Sequence, residues 1–451
     1  MKEKRIILIG AGLAGSLLAV YLAKRGFYVD IYERRPNMRT TKISAGRSIN
    51  LALSLRGLHA LQGVGLDQDI LKIAIPMKGR LIHAPEGALN FIPYGNNDTE
   101  VIYSVSRGQL NMAMMDLAEG YDRVKIYFNK RCTGINFTTG EAEIFDETTG
   151  ETSCVKAGTV IGTDGSASAI RYDMMKIGRF NYSQSYLEHG YKELSIPAGP
   201  GGKFLIEKNA LHIWPRKTYM LIALPNLDGS FTCTLFFPME GGVSFASLNT
   251  KEKVRRFFDE QFTDAVPLMP TLIEDFFSNP TSSLMTVKCF PWHVGHTASL
   301  LGDAAHAIVP FFGQGMNCSF EDCVVLDECV GRYGDDWEKI FSEYEALRKI
   351  NTDAIADLAV ENFYEMRDLV ADPAFILKKK IEHVLEEKFP DRFVPKYSMV
   401  TFRRMPYSIA LSRGKIQDTI LSELAFGKSN VNEIDWNKAE KLVNEKLEKL
   451  I

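Results

Sequence analysis

An α/β fold, with a doubly wound parallel sheet, a mixed or antiparallel sheet region and a helical C-terminal region, is predicted by three features of the sequence. Residues 5–33 read as strand, helix and strand, the repeating unit of a parallel sheet. Between 200 and 240 the pattern changes to short apolar runs bounded by Gly, Asn, Asp and Pro, which signal an antiparallel meander. From 335 onward helical periodicity dominates, with no internal repeat and no low-complexity linker.

RIILIG is a short run of buried-strand type, AGSLLAVYLAKRG is a helix that stops at Gly26, and YVDIYE is the next strand. In the second region KFLIE, ALHIW, YMLIALP and FTCTLFFP are each expected to be strands. VIGTDG and SLLGD read as further strands, each leading into a helix start. In NTDAIADLAVENFYEMRD, residues Ala354, Ile355, Leu358, Ala359, Asn362, Phe363 and Met366 fall on one helical face.

Composition excludes several functions. The 451 residues carry 53 basic and 56 acidic side chains, so no nucleic-acid footprint and no attraction to an anionic membrane is expected. Seven scattered cysteines without a CxxC read as reduced intracellular thiols. His83, His293 and His296 lack metal-ligand spacing with cysteines or acids, so no metal is assigned. The apolar N-terminal run is divided by three glycines and has no cleavage site, unlike a secretory signal. No segment approaches the roughly 20 apolar residues that cross a bilayer.

The strongest motif is IGAGLAG, a GxGxxG of Gly10, Gly12 and Gly15 between a strand and a helix. Bare glycines permit a tight turn and let a pyrophosphate approach the free amides of the helix start. Glu33 ends the next strand, where a carboxylate can hold ribose hydroxyls; it would repel a 2'-phosphate, which suits FAD or NAD and not NADP. No second GxGxxG occurs in the chain. Less regular is GDAAHAIVPFFGQGMN, residues 302–317, whose Pro310, Gly313 and Gly315 exclude a single helix or strand.

IGAGLAG with Glu33 and Arg34, GTDG with Ser168 and Arg171, and LLGDAAH, in this order, resemble the fingerprints of the single-component flavoprotein aromatic hydroxylases. The resemblance implies a Rossmann-like, glutathione-reductase-type FAD domain over 1–75, 100–180 and 290–335. It also implies a substrate-binding sheet domain over 76–99 and 181–289, with the helical region 336–451 closing the active site. NADPH is then a co-substrate without a dinucleotide fold of its own. FAD contacts are implied at Gly10, Gly12, Leu13, Ala14, Gly15, Glu33, Arg34, Ala52, Arg107, Cys132, Asp164, Asp303, Gly315, Met316 and Asn317. A halogenase of the wider class is disfavoured because WxWxIP is absent.

Finer matches within that family, GRSINLALSLRG, GRLIH, IPYG, YSVSRGQLN, VPFFGQGMN, FED, ENFYEM and YSMVTF, cover nearly the whole chain. They imply L-kynurenine as substrate, hydroxylated by NADPH and O2 through a flavin hydroperoxide to 3-hydroxykynurenine, a step of tryptophan degradation. A hydroxylase of another aromatic acid and a non-catalytic flavin-binding module are the alternatives. Such a substrate needs a cation and neutral donors at its amino-acid end and an apolar wall at the other. Arg80 and Tyr94 are candidates for the carboxylate, with a surface arginine as the competing reading of Arg80. Asn362, an amide within an apolar stripe, and Tyr397 join them, although a buried asparagine satisfied by backbone is commoner in general.

Phe311, Phe312 and Gln314 are expected across the flavin face, the two rings as a dry wall, with core packing as the alternative for one of them. Gly302 and Asp303 would hold ribityl or phosphate oxygens, and the amides of Gly315, Met316 and Asn317 would meet the flavin ring at a helix start. His306 reads as structural, and Cys318 and Cys323 as small buried hydrophobes. Eukaryotic members carry a C-terminal membrane anchor, whereas NEIDWNKAEKLVNEKLEKLI is an amphipathic charged helix, so a cytoplasmic enzyme is expected. Whether it forms a homodimer stays open.

Overall fold

The computed structural model describes residues 4–41, 50–95, 99–369 and 372–450. These fall into two compact units, residues 1–74, 103–187 and 283–356 in the first and 75–102, 188–282 and 357–451 in the second.

The first unit is built on a six-stranded sheet in the order His293–Val294, Ala298–Leu300, Thr159–Gly162, Arg5–Ile9, Tyr28–Glu33, Val124–Phe128. Every pairing is parallel except that of His293–Val294 with its neighbour. Ile9 registers with Gly162 on one side and Tyr32 on the other, so three strand ends align where the motifs begin. Ile6, Ile7, Leu8, Val29 and Ile31 are almost fully buried, as expected for strands covered on both faces. The helix Leu13–Lys24 packs over them with Leu17, Leu18 and Val20 inside. A separate antiparallel sheet of Lys130–Asn136, Glu141–Asp146 and Thr152–Lys156 carries a bulge between Glu143 and Ile144.

The second unit holds a mixed sheet. Strands Ala210–Pro215, Met220–Pro225 and Phe231–Pro238 form the expected meander, and His189–Ile196 pairs antiparallel with the last of them. On the other side Gly79–His83 runs parallel to Ala210–Pro215 and antiparallel to Leu89–Pro93. KFLIE is not a strand. Gly201 and Gly202 both take positive φ and turn the chain, leaving one isolated bridge from Gly199 to Lys203. Phe204 and Ile206 still pack on the core while Leu205 is exposed, so the alternation of burial survives without a ladder.

One face of this sheet is closed by the helices Lys251–Gln261 and Leu272–Ser278, which bury Phe257, Phe258 and Phe276 against Trp214, Phe231 and Phe237. Each such side chain contributes about 1.5–3 kcal/mol of hydrophobic transfer energy. The helices Pro373–Lys388, Tyr407–Ala425 and Trp436–Lys446 share a smaller core of Leu377, Ile381, Leu385, Ile420, Leu424 and Leu442. Among the described residues no helix is long and apolar enough to cross a membrane.

Candidate active site

In the first unit the strand Arg5–Ile9 ends at Gly10, whose φ of +102° favours glycine, and the chain turns into the helix Leu13–Lys24. A Cβ on Gly10 would lie 2.7 Å from the Thr163 carbonyl oxygen, and one on Gly15 would lie 2.0 Å from that of Gly10. Neither position accepts a side chain. A Cβ on Gly12 would meet no atom within 4 Å, so Gly12 borders open space. The helix start beside it, at Leu13 and Ala14, has no side-chain cap, which leaves amide donors for an anion.

Glu33 is buried at the end of its strand and accepts from the amides of Ala11 at 2.8 Å and Arg35 at 2.9 Å. Burial raises its pKa, but the Arg35 guanidinium, with Nε at 2.8 Å, and these amides outweigh burial and hold the carboxyl below its usual range. The neighbouring Arg34 is exposed, and no local pattern distinguishes the two adjacent arginines before folding.

Asp164 Oδ2 accepts from the Ala169 amide at 2.7 Å, whereas Oδ1 is buried with no hydrogen-bond partner among the described residues. Burial raises this carboxyl's pKa. Cys132 lies within its field; burial, then the Asp164 charge, pushes the thiol up to about 12, so it stays protonated at neutral pH. Asn111 was not anticipated as a site residue. Its Nδ2 donates to the Ala11 carbonyl at 3.1 Å, and its Oδ1 is buried without a partner beside the glycine turn. A usable signal was its spacing of four from Arg107, which begins the helix Arg107–Glu119. Ser54 Oγ is likewise buried and unpaired.

Asp303 opens a four-residue helix after Gly302, whose φ is +65°. Pro310–Phe312 form one turn of 3-10 helix, so the stretch 302–317, read from sequence as less regular, carries a regular turn at its centre. Proline is suited to the first position of such a turn, and burial of Phe311 and Phe312 fixes it. Gly313, with φ of +67°, and buried Gln314 then lead into the helix Gly315–Tyr333. The Asn317 side chain bonds protein and not open space: Oδ1 accepts from the Ser54 amide at 3.0 Å, and Nδ2 donates to Ala52 and Gly313 carbonyls at 2.8 Å. Of GRSINLALSLRG, residues 46–49 lie outside the described residues.

His306 belongs to a buried ionic group. Its Nε2 is 2.6 Å from Asp322, which also takes Arg348 Nε at 2.6 Å and the Gly302 amide at 3.2 Å. Burial opposes charge on the imidazole, but Asp322 and Cys318 outweigh it and hold its pKa at about 10. His306, Cys318 and Asp322 bring potential ligand atoms within 4.8 Å of one another. The Arg348 guanidinium already sits on Asp322 and 3.3 Å from Cys318 Sγ, so a fixed cation occupies the place a metal would need.

In the second unit Arg80 lies on Gly79–His83 opposite Ile92, and Tyr94 follows the paired strand. The Arg80 guanidinium lies over the rings of Tyr397 at 5.2 Å and Tyr94 at 5.8 Å, and these rings stack 5.3 Å apart. Arg80 Nε and Tyr94 Oη are both buried with no hydrogen-bond partner among the described residues. Asn362 is buried near the end of the helix Trp337–Tyr364, between Leu358, Ala359, Phe363 and Met366, as its stripe predicts. Glu365 was not anticipated. It follows Asn362 by three positions, and its Oε1 stands 3.7 Å from Arg80.

A family model described as FAD binding domain matches residues 3–196. A kynurenine 3-monooxygenase of Myxococcus xanthus is 54% identical over 446 residues, which is 99% of this chain and 96% of that one. Another, of Dictyostelium discoideum, is 47% identical over 461 residues and 99% of each chain. This chain belongs to the kynurenine 3-monooxygenase family. It is therefore an FAD-dependent oxidoreductase with the flavin monooxygenase fold. Among solved structures, a 2-methyl-3-hydroxypyridine-5-carboxylic acid oxygenase gives a TM-score of 0.65 at 20% identity, covering 84% of this chain and 96% of that one. PqsL of P. aeruginosa in complex with 2-aminobenzoylacetate gives 0.62 at 18%, covering 80% and 98%. At such identities these two speak for the fold alone.

Proposed function

We propose that this chain hydroxylates L-kynurenine to 3-hydroxykynurenine with NADPH and dioxygen as co-substrates. The observation that carries the reading is the pair of unpartnered buried atoms, Arg80 Nε and Tyr94 Oη, in a box closed by Tyr397. A buried donor left unpaired costs about 1–3 kcal/mol, and a carboxylate ligand would remove that cost. Arg80 would take the substrate carboxylate through its planar fork, with Tyr94, Tyr397 and the Asn362 amide as neutral donors.

The residues present suit FAD. Open space at Gly12, the uncapped helix start and the unpaired Asp164 oxygen are what a pyrophosphate and polyol chain would fill. Gly10, Gly12, Leu13, Ala14 and Gly15 would pass the pyrophosphate, and Glu33 the adenosine ribose, with Arg34 nearby. Ala52, Arg107, Cys132, Asp164 and Asp303 would line the remainder, and the amides of Gly315, Met316 and Asn317 would face the ring. Bound FAD supplies electron transfer from NADPH and activation of dioxygen. The chain's part is to orient the aminobenzoyl ring and exclude water, the task proposed for Phe311, Phe312 and Gln314. Seven unpaired cysteines suit a reducing compartment, and we place the enzyme in the cytoplasm.

Arg80→Ala tests the head-group reading. Loss of a charge-assisted pair of about 3 kcal/mol should raise KM for L-kynurenine roughly 100-fold. Flavin content, read by absorbance, should stay that of the wild type. Loss of flavin, or an unchanged KM, would remove Arg80 from the substrate site.

A further inference from the structure

We infer that Asp264, His83 and His212 form a hydrogen-bonded array that holds one proton and pins the strand bearing Arg80, which makes His83 a positioning residue for the substrate carboxylate. This rests on the substrate reading above and concerns the face of the sheet opposite to Arg80.

The strands Gly79–His83 and Leu89–Pro93 form one edge of the seven-stranded sheet. Arg80 lies on the first of them and Tyr94 directly after the second, so this hairpin carries both residues proposed to meet the carboxylate. Four parallel pairs with Ala210–Pro215 join it to the other strands, and Leu89–Pro93 is largely exposed. A hairpin paired on one side only gains register from a further attachment. Successive side chains of a strand point to opposite faces, so His83, three positions after Arg80, faces away from it. There its ring stacks on that of Trp214, with centroids 3.9 Å apart.

His83 and His212 are both buried. His83 Nδ1 lies 2.6 Å from Asp264 Oδ2, His83 Nε2 lies 2.9 Å from His212 Nδ1, and His212 Nε2 lies 2.7 Å from the Glu207 carbonyl. These partners assign the protons. A carbonyl only accepts, so His212 Nε2 carries a hydrogen. Burial lowers the His212 pKa to about 4, so its Nδ1 is bare at neutral pH and accepts from His83. Burial raises the Asp264 pKa, but His83 and the Trp214 indole, which donates to both carboxylate oxygens at 3.0 Å, outweigh it and keep Asp264 an acceptor. His83 must then donate from both ring nitrogens. A neutral His83 would set two acceptors against each other at one of its two links, and that link would open. Arg216 borders the array and donates to the His83 carbonyl at 3.0 Å and the Gln261 carbonyl at 2.6 Å. The Glu207 charge acts on His212, and Asp264, Tyr219 and Glu86 act on Arg216.

The test joins two readouts on the FAD-loaded enzyme at neutral pH. Nitrogen NMR of protein labelled with 15N-histidine, assigned with His83→Gln and His212→Gln, should show His83 protonated on both nitrogens and His212 on one. In steady-state kinetics His83→Gln and Asp264→Asn should each raise KM for L-kynurenine roughly 10-fold, leaving kcat within about 2-fold and flavin content unchanged. Asp264→Glu, which keeps the acceptor, should retain most of the wild-type KM. A bare nitrogen on His83 in wild type, or an unchanged KM in both His83→Gln and Asp264→Asn, would overturn the inference and leave the substrate reading intact. Failure of wild type to bind L-kynurenine would instead defeat the substrate reading, and the positioning role with it. Should His83→Gln not fold, the wild-type spectrum and the two Asp264 variants still decide.

Discussion

Asp322 gathers into one carboxylate the His306 imidazole, the Arg348 guanidinium and the Gly302 amide, and none of its atoms is exposed to water. Removing one partner from such a buried ionic group costs about 3–5 kcal/mol, because the others are left uncompensated. Asp322→Asn should therefore lower Tm by several degrees. The group also dictates a pH response. His306 has a folded pKa of about 10, above its usual value near 6.5, so its stabilisation is complete below about pH 6.5 and is lost as pH rises through 10. Calorimetry on the wild type should show Tm falling between about pH 8 and 10, and Asp322→Asn should flatten that fall. A wild-type Tm that does not change in that range would mean His306 is neutral. At this scale the sequence was only partly legible. His306 could be read as structural, but its partner Asp322 stands 16 positions away and Arg348 lies a further 26 beyond that, so only folding brings the group together.

At the scale of elements the legible parts were those with a strong period or an obligatory residue. The strand, helix and strand of 5–33 lie where predicted because buried parallel strands must be apolar throughout and the turn between them must be glycine. KFLIE misled because an apolar run records burial and not pairing, and Gly201 and Gly202 withdraw it from the ladder. The π-turn at 365–369 has no counterpart in a 3.6-residue pattern, since it depends on a shifted backbone hydrogen-bond register. The first helix offers a clean experiment, because Gly12 and Gly15 differ in what surrounds them. Gly15→Ala places a Cβ 2.0 Å from a backbone oxygen and should destabilise the fold; Gly12→Val enters open space and should leave Tm of the flavin-free protein nearly unchanged. Gly12→Val should nevertheless lower FAD affinity more than about 10-fold, since its side chain takes the room proposed for the pyrophosphate. Normal FAD binding by Gly12→Val would move the pyrophosphate elsewhere.

For the molecule as a whole, the three cofactor motifs belong to one compact unit, and Arg80, Tyr94, Asn362 and Tyr397, proposed for the substrate head group, belong to the other. Contact order along the chain is what the sequence conveyed least. Residues 357–451 share a unit with the sheet of 188–282, although their helical composition marks them as a region apart. Side chains from segments as distant as Arg80, Asn362 and Tyr397 were linked through family resemblance, because no local periodicity connects strand, helix and helix. The central claim is the reaction itself, and labelled dioxygen tests it most directly. With FAD-loaded enzyme, NADPH, L-kynurenine and 18O2, mass spectrometry should find 3-hydroxykynurenine heavier than substrate by one labelled oxygen atom, formed in step with NADPH consumption. NADPH consumed with L-kynurenine recovered unchanged and only hydrogen peroxide produced would contradict it.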